Sequence, residues 1–243
     1  MNVSDRIATP EGKRRYVRSL FATIADRYDL ITVVLSFGLD RRWKRRLFQL
    51  AAPGPGDLAL DLATGTGDIA FAIDSRCRRV VGLDVTPRMI ELAKAKAWMK
   101  RPRPSEPPAF LVGDMIALPF PDASFDLVTT GYGLRNVPDL PVAIDEILRV
   151  LKPGGRALSL DFNRPSNALA RTLYLQYLTM VGGALGWLLH GDPDTYRYIP
   201  ASIRGYPGAA GVARLMELRG FTRVRYSRVL GGLMAIHQGF REP

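Results

Sequence analysis

Short apolar runs alternate along this chain with amphipathic stretches, and the two patterns together predict most of its secondary structure. The apolar runs predict strands over residues 58–62, 79–83, 109–112, 125–130, 156–162, 222–228 and 232–240. Apolar residues at helical spacing predict helices over 13–25, 41–50, 68–74, 87–100, 139–150 and 208–219, with Asp40 as the N-cap of the second. This alternation indicates an α/β fold with a mostly parallel, doubly wound sheet, which binds ligands at the carboxyl ends of its strands.

The clearest candidate site follows the first strand, which breaks into Gly65-Thr66-Gly67 before a helix. Glycines in such a turn adopt backbone angles that a Cβ forbids and let a ligand lie against bare backbone. The loop matches the loose fingerprint of dinucleotide-binding turns. A carboxylate at Asp61, however, would repel a pyrophosphate and attract the ammonium and sulfonium groups of S-adenosylmethionine. Asp84 ends the next strand, where it can accept both hydroxyls of an adenosine ribose, so the sequence favours S-adenosylmethionine over a nicotinamide cofactor.

Two later strand ends also carry candidate ligand-binding residues. Asp114 ends the third strand and is placed to accept a hydrogen bond from an adenine amino group, with Met115 packing on the ring. The polar and aromatic segment after the fourth strand contains Arg135 and Asn136, whose donors suit an oxyanion or a bound water. A salt bridge from Arg135 to Asp139 or to another carboxylate is the structural alternative. The motifs of nucleic-acid amino-methylating enzymes and of carbon-5 pyrimidine methylases are absent from this segment.

The composition narrows the set of partners and cofactors. A net charge of +11 and a pI near 10.1 favour anionic partners such as nucleic acid, anionic lipid or an acidic substrate. With a single cysteine and two histidines outside ligand spacing, we expect neither a disulfide framework nor a metal site. The first twenty residues lack the apolar core of a signal peptide. The uncharged stretch 173–190 favours a buried or pocket-lining helix pair, with a membrane span left open.

The predicted elements divide one domain into four segments. These are an N-terminal helical cover (1–52), a cofactor-binding core (53–162), a substrate-side helical insert (163–207) and a C-terminal helix and hairpin (208–243). The Leu-Gly-Gly turn between the last two strands predicts the hairpin, and hence one antiparallel strand at the sheet edge. A seven-stranded sheet with a terminal hairpin resembles class I S-adenosylmethionine-dependent methyltransferases rather than two-half dehydrogenases.

Eight short segments resemble, in identity and order, the ubiquinone/menaquinone C-methyltransferase family over about residues 13–240. They are Tyr28-Asp29, Ser36-Phe-Gly38, Trp43-Lys44, the glycine loop after Asp61, Leu118-Pro-Phe-Pro121, Gly133-Leu-Arg-Asn-Val137, Arg149-Val-Leu-Lys-Pro-Gly-Gly155 and Tyr198 to Ile203. The resemblance implies methylation of a ring carbon of a polyprenylated hydroquinone by S-adenosylmethionine.

The resemblance also implies roles for individual residues. Tyr28, Arg135 and Asn136 match residues near the quinol, and we expect them to act in catalysis. The expected cofactor-binding residues are Asp61, Gly65, Thr66, Gly67, Asp84, Asp114, Met115 and Gly131. The chain departs from the family at Gly131, where some members have serine, at Asp161-Phe-Asn163 in place of Glu-Phe-Ser, and at Ile199-Pro-Ala-Ser202 in place of Leu-Pro-Glu-Ser.

A hydrophobic quinol and an anionic membrane surface are therefore the expected partners, with no nucleic acid and with a homo-oligomer left open. The expected location is the cytoplasm, peripheral to the inner face of the membrane. Two alternatives remain at this point: a methyltransferase for another hydrophobic small molecule, and a basic nucleic-acid-binding protein that retains the cofactor fold.

Overall fold

A seven-stranded sheet organises the computed structural model, which describes residues 3–36, 38–99 and 107–243. The strands are β1 (Leu58–Leu62), β2 (Arg79–Asp84), β3 (Ala109–Val112), β4 (Phe125–Gly131), β5 (Leu151–Phe162), β6 (Thr222–Val229) and β7 (Met234–Phe240). Their order in the sheet is β3-β2-β1-β4-β5-β7-β6. β7 runs antiparallel to both of its neighbours, while the other pairs are parallel. The predicted mostly parallel, doubly wound sheet is thereby confirmed.

The position of the antiparallel strand differs from the prediction. We expected it at the sheet edge, but β7 lies between β5 and β6, and β6 forms the edge. The physical reason is burial: Met234, Ala235 and Ile236 of β7 are almost fully buried, whereas β6 carries exposed arginines at Arg225 and Arg228. A strand that is apolar on both faces belongs inside the sheet, and a charged strand suits its edge.

Ten helices flank the sheet in the described residues. They are α1 (Val3–Arg6), α2 (Pro10–Ile24), α3 (Tyr28–Leu35), α4 (Asp40–Ala51), α5 (Asp68–Asp74), α6 (Pro87–Met99), α7 (Leu140–Val150), α8 (Ala168–His190), α9 (Asp194–Gly205) and α10 (Gly208–Leu218). The last residue of the predicted helix 87–100 lies outside the described residues. Leu60 and Leu62 of β1 face α7 and α10, while Ala59 packs with α4, α5 and α6 on the other face. The alternation along a strand therefore produces one core on each face of the sheet.

The start of α4 corrects the expected role of Asp40. Asp40 is the first helical residue rather than the N-cap, which is Leu39. The backbone N–H of Asp40 donates to the hydroxyl of Ser36 at 3.2 Å, so the preceding turn satisfies this helix end. The Asp40 carboxylate is 4% exposed and is free to make tertiary contacts, which are described below.

The N-terminal helices and the insert pack together above the sheet. Val17 of α2 and Tyr198 of α9 share one buried cluster, and Ile31 of α3 packs against the C-terminal part of α8 in another. The stretch 173–190 lies within the single long helix α8, which pairs with α9 rather than forming a helix pair by itself. At Gly186 a Cβ would lie 2.4 Å from the carbonyl oxygen of Asp192, so α9 can approach α8 closely only where α8 lacks a side chain.

None of the helices in the described part of the chain is long and apolar enough to cross a membrane.

We expect a side chain at Gly82 of β2 to destabilise the fold. A Cβ there would lie 2.6 Å from the Phe110 ring and 2.9 Å from the Thr64 hydroxyl. Gly82→Ala should lower the free energy of unfolding by roughly 1–3 kcal/mol, measured by urea denaturation, because the ring and the glycine loop have to shift. The control, Gly56→Ala, adds a methyl group in open space. Equal denaturation midpoints for the two variants would contradict this prediction.

Candidate active site

Two adjoining cavities lie at the carboxyl ends of the central strands. The glycine-rich cavity has a volume of about 80 Å³ and is lined by Gly65, Asp84, Gly113, Asp114, Met115 and Gly131, among others. The aromatic cavity has a volume of about 130 Å³ and is lined by Trp43, Arg135, Phe162, Tyr174, Tyr177 and Tyr196, among others. Three aromatic residues line both cavities, namely Phe21, Tyr28 and Tyr132. The two cavities therefore adjoin each other at these residues, and ligands bound in them would be neighbours.

Asp84 holds the glycine loop in place. One carboxylate oxygen accepts a hydrogen bond from the backbone N–H of Gly65 at 2.9 Å, and the other accepts one from Thr86 at 2.8 Å. Gly65 has a φ of +56°, which is in the left-handed region that favours glycine. Both Asp84 and Gly65 line the glycine-rich cavity, as expected for residues that hold a nucleoside.

Asp61 is placed differently from the expectation. Its side chain is 1% exposed and lines neither cavity. Its carboxylate accepts hydrogen bonds from the hydroxyls of Thr64 at 2.6 Å and Thr129 at 2.8 Å. Thr129 is the register partner of Asp61 on β4, so the two side chains lie on the same face of the sheet. Burial raises the pKa of Asp61 to about 6 despite these hydrogen bonds. Asp61 therefore supports the glycine loop through its hydrogen bond with Thr64, the residue before Gly65.

Thr66 and Gly67 also lie outside the lining of both cavities. The Thr66 hydroxyl donates to Asp29 at 2.7 Å and accepts from Lys96 at 2.8 Å, which ties the loop to α3 and α6. Gly67 has a φ of +90°, and a Cβ there would lie 2.9 Å from the ring of Phe110. These contacts give both residues a part in shaping the loop, and their role in cofactor binding stays a prediction.

Asp114 and Met115 line the glycine-rich cavity together with an arginine that the sequence analysis missed. Arg14 of α2 forms an ion pair with one Asp114 oxygen, and the backbone N–H of Ile116 donates to the other at 3.1 Å. The net charge of +11 indicates only that the chain is basic and does not single out Arg14. Its partner could not be found from the sequence because the two residues are 100 positions apart.

The residues of the glycine-rich cavity suit S-adenosylmethionine. Asp84 and Asp114, the acceptors expected for the ribose and the adenine, both line this cavity, and their contacts with the ligand stay a prediction. Gly131 and Gly133 at the end of β4 also line this cavity. A Cβ at Gly131 would meet Ile69 at 2.6 Å and one at Gly133 would meet Thr130 at 2.4 Å, so the packing against these side chains requires glycine at both positions.

Arg135 is a buried cation in the wall of the aromatic cavity. It is 4% exposed, and its Nε donates to an oxygen of Asp161 at 3.2 Å, while its backbone N–H donates to the other Asp161 oxygen at 3.0 Å. Nη1 donates to the hydroxyl of Ser202 at 2.7 Å. Arg135 therefore forms the salt bridge that the sequence analysis gave as the alternative, and its partner is Asp161 rather than Asp139. Asp139 instead caps α7 by accepting from the backbone N–H of Val142.

Asn136 and Tyr28 occupy the boundary between the cavities. The Asn136 amide donates to the carbonyl of Tyr132 at 2.7 Å and accepts from the hydroxyl of Tyr198 at 3.0 Å. Asn136 lines the glycine-rich cavity and not the aromatic one, whereas Tyr28 lines both. Burial raises the pKa of Tyr28 to about 12, so its phenol is neutral near pH 7 and can donate a hydrogen bond.

A chain of charged groups that begins at the buried Asp40, beside the aromatic cavity, was also missed. The Tyr132 hydroxyl donates to Asp40 at 2.6 Å, and the other Asp40 oxygen pairs with Lys44 at 2.7 Å. Lys44 pairs in turn with Asp68 at 2.9 Å. Although burial opposes its charge, Asp68 and Asp40 hold the pKa of Lys44 above its ordinary value. The Asp40–Lys44 spacing of four residues on one helix face was the available signal.

We expect Asp61 to reduce stability as the pH rises from about 4 to 6. Because its pKa is raised on folding, the native state keeps a proton that the unfolded chain loses in this window. The free energy of unfolding of Asp61→Asn, relative to that of the wild type, should rise by about 3 kcal/mol between pH 4 and pH 6. Above pH 6 this difference should stay constant. Urea denaturation across the pH range measures the difference. Asp122→Asn, which removes an exposed carboxylate, is the control. A pH-independent difference for Asp61→Asn would contradict the prediction.

Comparison with known proteins agrees with this geometry. Residues 9–241 match the model of the ubiE/COQ5 methyltransferase family. A demethylmenaquinone methyltransferase from Thermus thermophilus is 42% identical over 224 residues, which are 91% of this chain and 100% of that protein. A ubiquinone/menaquinone biosynthesis C-methyltransferase from Shewanella halifaxensis is 36% identical over an alignment of 245 positions, which covers 95% of this chain and 92% of that protein.

Solved structures support the fold. An S-adenosylmethionine-dependent methyltransferase from Thermotoga maritima is similar with a TM-score of 0.65 at 18% identity, over 93% of this chain and 100% of that one. A phosphoethanolamine N-methyltransferase from Haemonchus contortus, solved with S-adenosylmethionine, is similar with a TM-score of 0.62 at 13% identity, over 83% of this chain and 53% of that one. The chain thus belongs to the ubiE/COQ5 methyltransferase family and is an S-adenosylmethionine-dependent methyltransferase with the class I fold.

Proposed function

We propose that this enzyme methylates a ring carbon of a demethylated polyprenyl quinol, with demethylmenaquinol as the preferred acceptor. The observation that carries the proposal is the aromatic cavity, which adjoins the glycine-rich cavity and has the buried Arg135 in its wall. Aromatic side chains suit a flat ring, and an arginine suits the oxygen of that ring. Tyr28 and Tyr132 line both cavities, which supports contact between the acceptor and the methyl donor.

The chemistry requires an oxyanion next to the reacting carbon. A quinol ring carbon becomes a good nucleophile when the adjacent hydroxyl loses its proton, because the charge then delocalises onto the ring. S-adenosylmethionine supplies a methyl group on a positively charged sulfur. Arg135 stabilises the developing phenolate, and the neutral Tyr28 phenol orients the ring by donating a hydrogen bond. Positioning two reactants in adjoining cavities is worth roughly 7–11 kcal/mol of the barrier in favourable cases.

The departures from the family pattern are compatible with this acceptor. The Asn163 amide donates to the carbonyl of Gly232 and accepts from the backbone N–H of Ala209, so it ties β5 to the C-terminal segment. Ala201 packs in the cluster around Tyr198. Neither residue lines either of the two cavities. The relative from Thermus thermophilus is a demethylmenaquinone methyltransferase by name, which supports a naphthoquinol over a benzoquinol.

We also propose that the enzyme works at the cytoplasmic face of the membrane and docks there through the outer face of α8. Leu169, Leu173, Met180, Trp187 and Leu188 are 58–74% exposed on this helix. Beside its C-terminal part, α3 exposes Leu30, Val33 and Val34. An exposed apolar surface of this extent is typical of a protein or membrane interface.

Two observations favour an anionic lipid surface as the partner of this face. α8 contains no acidic residue, and Arg171 on α8 and Arg204 on α9 lie beside the apolar residues. The opposite side of α8 places Tyr174, Tyr177 and Leu178 in the wall of the aromatic cavity. A polyprenyl tail in the bilayer would therefore be one helix away from the acceptor site.

An assay with methyl-labelled S-adenosylmethionine tests the reaction. The chemically reduced acceptors are demethylated naphthoquinols and benzoquinols with short tails, and mass spectrometry locates the label. We expect label on a ring carbon of the naphthoquinol. Label on another hydrophobic acceptor alone, or on nucleic acid, would overturn the proposed acceptor while leaving the methyltransferase identity intact.

We expect Arg135→Lys to reduce kcat by about 10–100-fold, because an ammonium keeps the charge but loses the fixed fork of donors. Cofactor affinity, measured by calorimetry, should stay the same, since Arg135 does not line the glycine-rich cavity. Arg219→Lys, at an exposed pair with Asp145, is the matched control. Full turnover in Arg135→Lys would remove the residue from the mechanism.

We expect the double variant Leu173→Glu, Met180→Glu to lose membrane binding. Sedimentation with vesicles of phosphatidylglycerol and phosphatidylcholine should show a loss of about tenfold or more, because two apolar contacts become charged groups facing anionic lipid. Turnover of a short-tailed quinol without vesicles should remain. Leu218→Glu, an equally exposed position on α10, is the control. If the wild type does not bind vesicles but forms a dimer, and the double variant is a monomer, the face is an interface between two copies instead.

A further inference from the structure

Tyr132 is held in an unusual conformation at the boundary between the two cavities. It follows β4 with a φ of +62°, a value that a residue with a bulky side chain adopts rarely and only where the surrounding structure holds it. Its backbone N–H donates to the carbonyl of Leu160 at 2.7 Å, and its carbonyl accepts from Asn136. These bonds keep the backbone in place and put the phenol ring in the wall of both cavities.

The phenol oxygen of Tyr132 connects the cavity to a carboxylate that the cavity does not reach. Asp40 accepts the Tyr132 proton at 2.6 Å and is 4% exposed, but it is absent from the lining of both cavities. Its neighbours on the chain, Ser36 and Trp43, do line the aromatic cavity. The Tyr132 oxygen still has acceptor capacity while it donates to Asp40.

Asp40 belongs to a cluster of charged groups beside the aromatic cavity. Lys44 is shared between Asp40 and Asp68. Lys96 lies 3.6 Å from Asp68 and is also paired with Asp29. The Asp40 carboxylate is held in place by this cluster, with one oxygen on Lys44 and the other on the Tyr132 hydroxyl.

Arg135 and Tyr28 line the aromatic cavity, and Asp161 and Ser202 lie behind Arg135. Arg135 is a cation. Asp161 already accepts from the backbone N–H of Phe162 and twice from Arg135. Tyr28 is a neutral phenol near pH 7, and the Ser202 hydroxyl donates to the carbonyl of Ile199.

We propose that Tyr132 and Asp40 together accept the proton of the quinol hydroxyl, with Tyr132 as the catalytic residue and Asp40 as the positioning residue behind it. This inference rests on the proposed quinol acceptor. The quinol O–H bond breaks and its proton moves to the Tyr132 oxygen, as the Tyr132 proton moves to the Asp40 carboxylate. The ring carbon then bonds to the methyl group as the sulfur–methyl bond breaks, and that electron pair stays on sulfur. The methylated ring carbon finally loses its hydrogen as a proton to solvent, and the dyad returns its proton to the ring oxygen, so one proton is released overall.

Other charged groups around the dyad contribute to the pH dependence. Asp161 and Tyr28 act on Tyr132 through space, and burial and the charge of Asp40 raise the pKa of Tyr132 well above its ordinary value. Lys13 of α2 lies near Arg135 and Asp161, and burial lowers its pKa to about 8. Any effect of Lys13 on the pH profile should persist in variants of the dyad.

The test compares Tyr132→Phe and Asp40→Asn with the wild type, using a reduced short-tailed demethylmenaquinone under anaerobic conditions. Each variant should lose about 10²–10³-fold in kcat at pH 7, and the double variant little more, because the two residues act as one unit. The wild-type kcat should reach a plateau as the pH rises. The kcat of the variants should keep rising about tenfold per pH unit toward the ionisation of the quinol itself, near pH 10.

Controls separate this role from a structural one. Tyr226→Phe and Asp122→Asn remove the same groups from the surface and should keep the wild-type profile. Circular dichroism and cofactor calorimetry establish that each variant is folded and binds S-adenosylmethionine. If Asp40→Asn fails to fold, Tyr132→Phe still tests the dyad, because it removes only the hydroxyl and keeps the ring. A wild-type pH profile in Tyr132→Phe, or a change in KM alone, would overturn the dyad. If the wild type methylates no quinol, the proposed function fails first.

Discussion

The buried ion pair between Arg135 and Asp161 is the interaction on which the acceptor site depends. Both side chains are at most 4% exposed, and a buried charge is tolerated only when it is paired and hydrogen-bonded. The pair joins the turn after β4 to the end of β5, and the Ser202 hydroxyl adds α9 to it. The same guanidinium lies 4.9 Å from the centre of the Phe162 ring. Three segments far apart in the chain are therefore held around one cation, and the aromatic cavity is the space that they enclose.

The two cavities differ in how they are built. The glycine-rich cavity is formed by backbone, with glycines at the strand ends and a carboxylate at Asp84 that holds the loop. The aromatic cavity is lined mainly by side chains from α2, α3, α8 and α9, together with Tyr132 and Arg135 after β4 and Phe162 at the end of β5. The fold shared with distant methyltransferases accounts for the first cavity, and the helices around it account for the second. The helical cover and insert therefore supply most of the lining of the second cavity, and the strand ends supply the rest.

Among the expected site residues, the structure separates those that face a cavity from those that support one. Asp84, Asp114 and Met115 line the glycine-rich cavity, and Tyr28 and Arg135 line the aromatic one. The side chains of Asp61 and Thr66 are hydrogen-bonded to other side chains of the protein, and their role as direct ligands stays a prediction. Position in a motif identifies a residue's neighbourhood, but the orientation of its side chain depends on partners from other elements. Asp61 illustrates this, because Thr129, which holds its carboxylate, is on another strand.

The sequence by itself determined the seven strands, the helices that alternate with them, the glycine loop and the family, although it missed α1, α3 and α9 and began β5 at 156 instead of 151. Periodicity of 2 and 3.6 is a local property, and glycine turns and short motifs are local as well, so strands such as 58–62 and 109–112 agree with the structure to the residue. Only the tertiary structure decided the order of the last two strands, the Arg14–Asp114 pair and the contact between Tyr132 and Asp40. These are contacts between segments separated by many residues, and they follow from which apolar faces become buried against each other. A buried charge then pairs with an opposite charge that this packing brings close to it. No periodic pattern in the sequence identifies that partner.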